Sequence, residues 1–192
     1  MIKTLSLILC SIFLTSCGMQ SIPTAKNEVE ANLAEVQNQY KRRADLIPSL
    51  VKVVRSYAKH EKETLKAVIE ARSQATKTTL KVDNLNPQKL KQFSKAQAGL
   101  SSALSRLMAV SERYPNLKAN QNFRDLQRQL EGTENRITVA RNRYIQAIKQ
   151  FNNLITVPPE SWFNALFLKH EKMPQFTVER PDELENPPEI VL

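Results

Sequence analysis

The sequence predicts an all-α fold, an antiparallel up-and-down four-helix bundle with long helices and a short C-terminal helix, and three observations carry that reading. The first is period. Between Asn120 and Ile155 the apolar or small residues Phe123, Leu126, Leu130, Thr133, Ile137, Ala140, Tyr144, Ile148, Phe151 and Ile155 recur at gaps of three or four, with charged and amide side chains opposite. The second is length: at about 1.5 Å per residue this helix reaches roughly 54 Å, too long to bury its stripe on anything but other long helices. The third is composition, because three glycines in 192 residues argue against a turn-rich sheet fold.

Taken in order, residues 1–16 read as a lipoprotein signal peptide. Lys3 precedes an apolar run from Leu5 to Leu14 that is too short to cross a bilayer core of about 30 Å. Leu14-Thr15-Ser16-Cys17-Gly18 then resembles the lipobox of bacterial lipoproteins. In that class the cysteine carries a diacylglyceryl group and the new amino terminus is usually acylated. At about 0.8 kcal/mol per buried methylene, two or three chains hold a protein on a membrane where one does not. Residues 17–25 are expected to be a lipidated tether. Cys10 leaves with the signal and lipid occupies Cys17, so about 176 residues remain with no disulfide and no thiolate. Removing Lys3 lowers the net charge from +9 to +8.

Residues 26–168 are expected to form the bundle. Val29, Leu33, Val36, Tyr40, Ala44, Ile47, Val51, Val54, Ala58, Leu65 and Val68 keep helical spacing almost to Thr76, interrupted only by Pro48. Lys41 to Asp45 holds no glycine, asparagine or proline, so Pro48 predicts a kink and not a hairpin, with Asp45 as the cap of the restarted segment. Val82 to Asn86 reads as a loop, and Asn86-Pro87 as the cap and first turn of the next helix. That helix carries Leu90, Phe93, Leu100, Leu104, Leu107 and Val110 beside a run of small residues, and Tyr114-Pro115-Asn116 ends it. Gly132, mid-helix where glycine costs roughly 1 kcal/mol relative to alanine, predicts a close helix crossing near Gly99. Pro158-Pro159 opens a short helix in which Trp162, Phe163, Leu166 and Phe167 share one face. That face reads either as a plug on the end of the bundle or as a docking patch for the membrane interface or a partner. Residues 169–192, proline-rich and mainly acidic in their later part, predict a loosely ordered tail.

Chemistry-bearing motifs are sparse. His60-Glu61-Lys62-Glu63-Thr64 begins like a zinc-protease helix but has Thr64 where the second histidine must stand. Tyr57 occupies the position three before His60 that a carboxylate-bridged metal pair requires to be glutamate. No metal, cofactor or catalytic residue is predicted, and an enzyme ranks last among the functions. Gln127, Glu134 and Arg141 lie seven apart beside the stripe, while Arg43 falls on the heptad through Val36, Tyr40, Ile47 and Leu50. Charges so placed predict a structural ion-pair set, Arg43 with Glu134, or else a polar ligand pocket between helices. Lys41-Arg42-Arg43 is basic enough for nucleic acid, but export argues against that partner and for a solvated face or anionic lipid.

Three blocks, in order, carry a family resemblance: Tyr40-Lys41-Arg42-Arg43-Ala44-Asp45-Leu46-Ile47-Pro48-Ser49-Leu50-Val51, Tyr114 to Phe123, and Leu130 to Ile137 continued by Ala140-Arg141 and Tyr144. Together they resemble the LemA family over roughly residues 29–168. The resemblance implies a bacterial, membrane-attached, bromodomain-like four-helix bundle with no established activity. Members commonly begin with a transmembrane helix, which this chain replaces with the lipobox. The expectation is therefore a lipid-anchored envelope protein, facing the periplasm if the cell has two membranes. Its first expected role is structural or adaptor, docking another envelope protein, with association to membrane proteases implied by the family alone. The alternative is a binding module for anionic lipid or a cell-wall polymer.

Overall fold

The computed structural model describes the backbone from Ile2 to Phe176 and side chains from Gln20 onward. All regular structure among these residues is helical: α1 (Ile2–Tyr57), α2 (Lys62–Lys77), a single 3-10 turn at Val82–Asn84, α3 (Pro87–Ser111), α4 (Pro115–Ala119), α5 (Gln121–Thr156) and α6 (Glu160–Phe163), which runs into a π turn at Asn164–Leu168.

α1 and α5 form the longest pairing. The part of α1 from Ile22 to Tyr40 shares a buried cluster with the last half of α5, including Ile22, Val29, Val36, Ile148 and Phe151. The second half of α1 meets the start of α5 in another cluster that holds Leu50, Val54, Phe123 and Leu130. The two helices therefore run in opposite directions. α2 and α3 pack on each other beside them, and α2 also packs on α1. Every residue of the α5 stripe read from the period is buried except Leu126, which is half-buried, and Ala147 joins it.

Two side-chain caps set the starts of the later helices. Asn86 accepts from the Lys89 amide at 2.8 Å with Pro87 in the first turn of α3, and Asn120 accepts from the Phe123 amide at 3.0 Å to open α5. Each supplies an acceptor for an amide that has no intrahelical partner.

Five expectations change. The helical pattern from Val29 does not run to Thr76: α1 ends at Tyr57, and the chain turns through Ala58–Glu61 into α2. Periodicity misses this turn because Ala58 and Leu65 are seven residues apart, so the apolar register of α2 continues that of α1 by coincidence. Pro48 lies inside continuous α1, so Asp45 caps nothing and instead pairs with Lys41 at 2.8 Å.

The expected tether of residues 17–25 is helical throughout. Ile22, seven residues before Val29, extends the stripe and is fully buried. At the other end, residues 169–176 are packed and not loose. Asn164 exchanges two hydrogen bonds with the main chain of His170, at 2.9 and 3.0 Å, and Asn152 does the same with Met173, at 2.9 and 3.1 Å. Phe176 is buried against Phe93 and Tyr144. Residues 177–192 lie outside the described part, as do residue 1 and the side chains of the signal segment and Cys17. Finally, a Cβ built on Gly132 or Gly99 would meet nothing within 4 Å, so no helix crosses closely at either glycine.

Candidate functional site

The core is split. Along α1 the apolar stripe passes Tyr40, then Arg43, then Ile47; along α3 it passes Phe93, Gln97 and Leu100; along α5 it passes Leu130, Thr133 and Ile137. Arg43, Gln97 and Thr133 are all buried, at 1%, 5% and 0% exposed, and they form a polar layer between two apolar clusters.

Arg43 organises that layer. Its guanidinium donates to Glu134 Oε1 at 2.7 Å, Ser101 Oγ at 3.0 Å, Gln97 Oε1 at 2.6 Å and the Gln97 carbonyl at 3.3 Å. It also lies 5.1 Å from the centroid of the Tyr40 ring. Gln97 in turn donates from Nε2 to the Ala75 carbonyl at 3.0 Å. One side chain of α1 thus reaches α3 and α5 directly and α2 through Gln97. A buried charge is costly unless it is paired and hydrogen-bonded, so the partners that α3 and α5 offer the two terminal nitrogens of Arg43 favour the register in which it meets them. Its Nε is the one guanidinium nitrogen left without a partner among the described residues.

Glu134 is unequal to its partner, since its side chain is 48% exposed against 2% for Arg43. Arg141 does not join the pair. It lies over the Phe176 ring, with its guanidinium carbon 4.8 Å from the ring centroid. Gln127 lies outside the layer and donates to Glu131 at 3.0 Å. Burial raises the Tyr40 hydroxyl above its ordinary range, opposed first by Arg141 and then by Arg43. Burial alone raises that of Tyr144 strongly, and its oxygen has no hydrogen-bond partner among the described residues.

The α6 segment divides. Phe163 packs against the cluster that contains Ile22, and its ring is 4.9 Å from that of Phe167. Trp162, Leu166 and Phe167 face outward, at 66%, 72% and 69% exposed. The expected single face is therefore one inward anchor and three outward side chains. Among the described residues no three His, Cys, Asp or Glu side chains cluster at metal-ligand geometry, and His60 is exposed in the turn after α1. No helix among them is long and apolar enough to cross a membrane.

Reading the sequence missed Gln97, Ser101, Arg72, Asn152, Asn164 and Phe176. Gln97 had a signal, four residues after Phe93 and three before Leu100 on the buried face of α3. The two asparagines had none, because each binds main chain whose path no periodicity describes.

Comparison with known proteins places these features. The family model described as the LemA family matches residues 32–191, which spans the polar layer, the α6 segment and nearly all of the C-terminal segment. Among curated proteins, the magnetosome proteins MamQ 1 and MamQ 2 of Paramagnetospirillum magneticum are each 33% identical over 86 residues. The match covers 45% of this chain and 31% of each relative, so the chain spans about a third of the length of these proteins.

Proposed function

We propose, from the premise that the chain belongs to the LemA family, that it is a lipid-anchored cell-envelope protein with a structural or adaptor role and no catalysis of its own. In this reading the helices make an antiparallel four-helix bundle, Cys17 carries the lipid, and the body faces the periplasm where a cell has two membranes.

One observation carries the proposal. The outward Trp162, Leu166 and Phe167 stand at the Ile22 end of the molecule, because Phe163 packs into the cluster that holds Ile22 and Ile155. Ile22 follows Cys17 by five residues of continuous α1, about 7.5 Å of helix. Lipid on Cys17 would bring this end of the bundle to the bilayer, where tryptophan and phenylalanine favour the boundary between headgroups and acyl chains. The helix running through residues 20–25 supports the same geometry, since a rigid connection fixes the aromatic end near the surface more closely than a loose tether does.

The polar layer supports a scaffold in preference to a ligand pocket. Arg43 is almost entirely enclosed, and four of its hydrogen bonds are already made within the chain. Labelling cells with an alkyne fatty acid tests the anchor. The wild-type chain should take the label and lose residues 1–16, and Cys17→Ala should remain unlabelled and uncleaved. An unlabelled wild-type protein that keeps its first sixteen residues would refute the lipid anchor.

A further inference from the structure

Residues 169–176 lie on the bundle as a bound peptide lies on its receptor. They form no helix, and their three inward points, His170, Met173 and Phe176, are spaced by three, while Lys169, Glu171, Lys172 and Gln175 are exposed. That spacing is the period of an extended polyproline-type strand, so the inward residues share one side of it. Eight residues of α5, about 12 Å, separate Asn152 from Tyr144, and the three residues from Met173 to Phe176 cover about 10 Å when extended. With Met173 on Asn152 and Phe176 on Tyr144, the segment runs along α5 in the direction opposite to the helix.

The contacts divide as they do in peptide recognition, where main-chain hydrogen bonds give affinity and side-chain pockets give specificity. Asn152 grips main chain alone: its Nδ2 donates to the Met173 carbonyl at 3.1 Å and its Oδ1 accepts from the Met173 amide at 2.9 Å. Any residue except proline offers that pair. Three residues on, a pocket takes an aromatic ring. Phe176 is buried with Tyr144 of α5 and Phe93 of α3 at 5.4 and 6.5 Å between ring centroids, and the Arg141 guanidinium lies over its face.

The arrangement within one chain also carries a strain. Lys169, which turns the chain out of the π segment, has a φ of 54°, a left-handed conformation uncommon for residues other than glycine. A separate peptide in the groove does not need that turn. We propose that the groove between α3 and α5 is a docking site for an extended segment of a partner protein, with an aromatic side chain three residues after the residue that Asn152 holds. Residues 169–176 fill it until such a segment displaces them. The inference builds on the adaptor reading by giving it a second surface, and its test involves neither the lipid anchor nor Trp162, so either can fail while the other stands.

The probe is a synthetic peptide with the sequence of residues 169–176, fluorescent at its start and amidated at its end, added to the full chain. In the variant Met173→Pro, Phe176→Ala the chain's own segment can neither donate to Asn152 nor fill the pocket, and circular dichroism establishes that its helices remain. This variant should bind the peptide about tenfold more tightly than the wild-type chain, whose own segment competes. Adding Asn152→Ala, or replacing the peptide's phenylalanine by alanine, should each weaken binding about tenfold. Hydrogen exchange decides the same question on the wild-type chain without any variant. The bonded amides of His170 and Met173 should exchange about a hundredfold faster than those of Ile148 and Phe151, through openings that leave the bundle intact. No binding by the folded variant, binding indifferent to Asn152 and to the aromatic ring, or exchange at His170 and Met173 as slow as in α5 would each overturn the proposal. So would a wild-type dimer that the peptide dissociates, which assigns the groove to a second copy of this chain.

Discussion

Arg72 donates from Nε to the main-chain carbonyl of Ala44 at 2.8 Å, and Ala44 is the residue whose carbonyl Pro48 leaves without its helical partner. In a regular helix the amide of residue 48 would bond that carbonyl, and proline has no amide hydrogen. Ala44 is 2% exposed, so water reaches the carbonyl poorly and a side chain from α2 takes the place of the missing donor. α1 thus passes through a proline without breaking.

This relationship predicts a coupled pair of substitutions. Arg72→Ala should destabilise the protein by about 1–3 kcal/mol, the cost of an unpaired buried carbonyl. In a Pro48→Ala background, where the helix can supply its own donor, the same change should cost distinctly less. A double-mutant cycle by urea unfolding measures the difference, and identical costs in both backgrounds would show that Arg72 acts elsewhere.

The Arg43–Glu134 pair should respond unequally to loss of either partner. Glu134→Ala leaves an enclosed guanidinium without its counter-charge, and should cost about 3 kcal/mol. Arg43→Met removes the charge, keeps much of the volume and leaves Glu134 with access to water, so about 1–2 kcal/mol is expected. Equal losses, or the reverse order, in denaturant unfolding would contradict the assignment of Arg43 as the buried member.

How far the sequence foretold these features follows from what periodicity can detect. It placed the α5 stripe, the buried heptad position of Arg43 and the caps at Asn86 and Pro87, because each is a local pattern within one helix. The turn at Ala58–Glu61 was hidden, since a spacing of seven preserves helical phase across a reversal. The Arg72–Ala44 bond was equally hidden, because an orphan carbonyl announces the need for a donor but not its address. Phe176 packs on Phe93 and Tyr144 at the end of a stretch whose path is set by two asparagine side chains bonded to main chain, which no periodicity reveals. Gly132 was misread because a mid-helix glycine admits two explanations, close approach or simple tolerance, and only coordinates separate them.

Gly132→Ala should accordingly stabilise the protein by about 0.5–1 kcal/mol, since alanine gains helix propensity and its methyl meets nothing within 4 Å. Gly99→Ala, exposed on α3, should behave similarly. Thermal unfolding gives the answer, and a lowered melting temperature at position 132 would mean that a neighbour does approach there.

Tyr144 gives a pH dependence. Its hydroxyl is buried with no partner among the described residues, and burial holds its ionisation well above the ordinary tyrosine range. The folded value lies above the unfolded one, so Tyr144 leaves stability unchanged with pH below about 10 and removes it progressively as pH rises beyond that. Tyr144→Phe should raise stability by about 1 kcal/mol at neutral pH and flatten part of the alkaline loss. Parallel unfolding curves for the two proteins between pH 7 and pH 11 would show whether the hydroxyl carries that slope, and an unchanged slope would assign it to other groups.

The central claim, that the anchored end of the bundle seats its exposed aromatic side chains on the bilayer, is open to a direct optical measurement because Trp162 is the only tryptophan in the chain. The full lipid-modified protein is reconstituted into vesicles, and its tryptophan emission is recorded with and without lipids brominated along their acyl chains. Seating at the interface predicts emission shifted to the blue of its value in detergent-free buffer for an unlipidated chain that begins at residue 18, together with quenching by bromines near the headgroup. Emission at the wavelength of water-exposed tryptophan, unquenched by bromine at any depth, would contradict it.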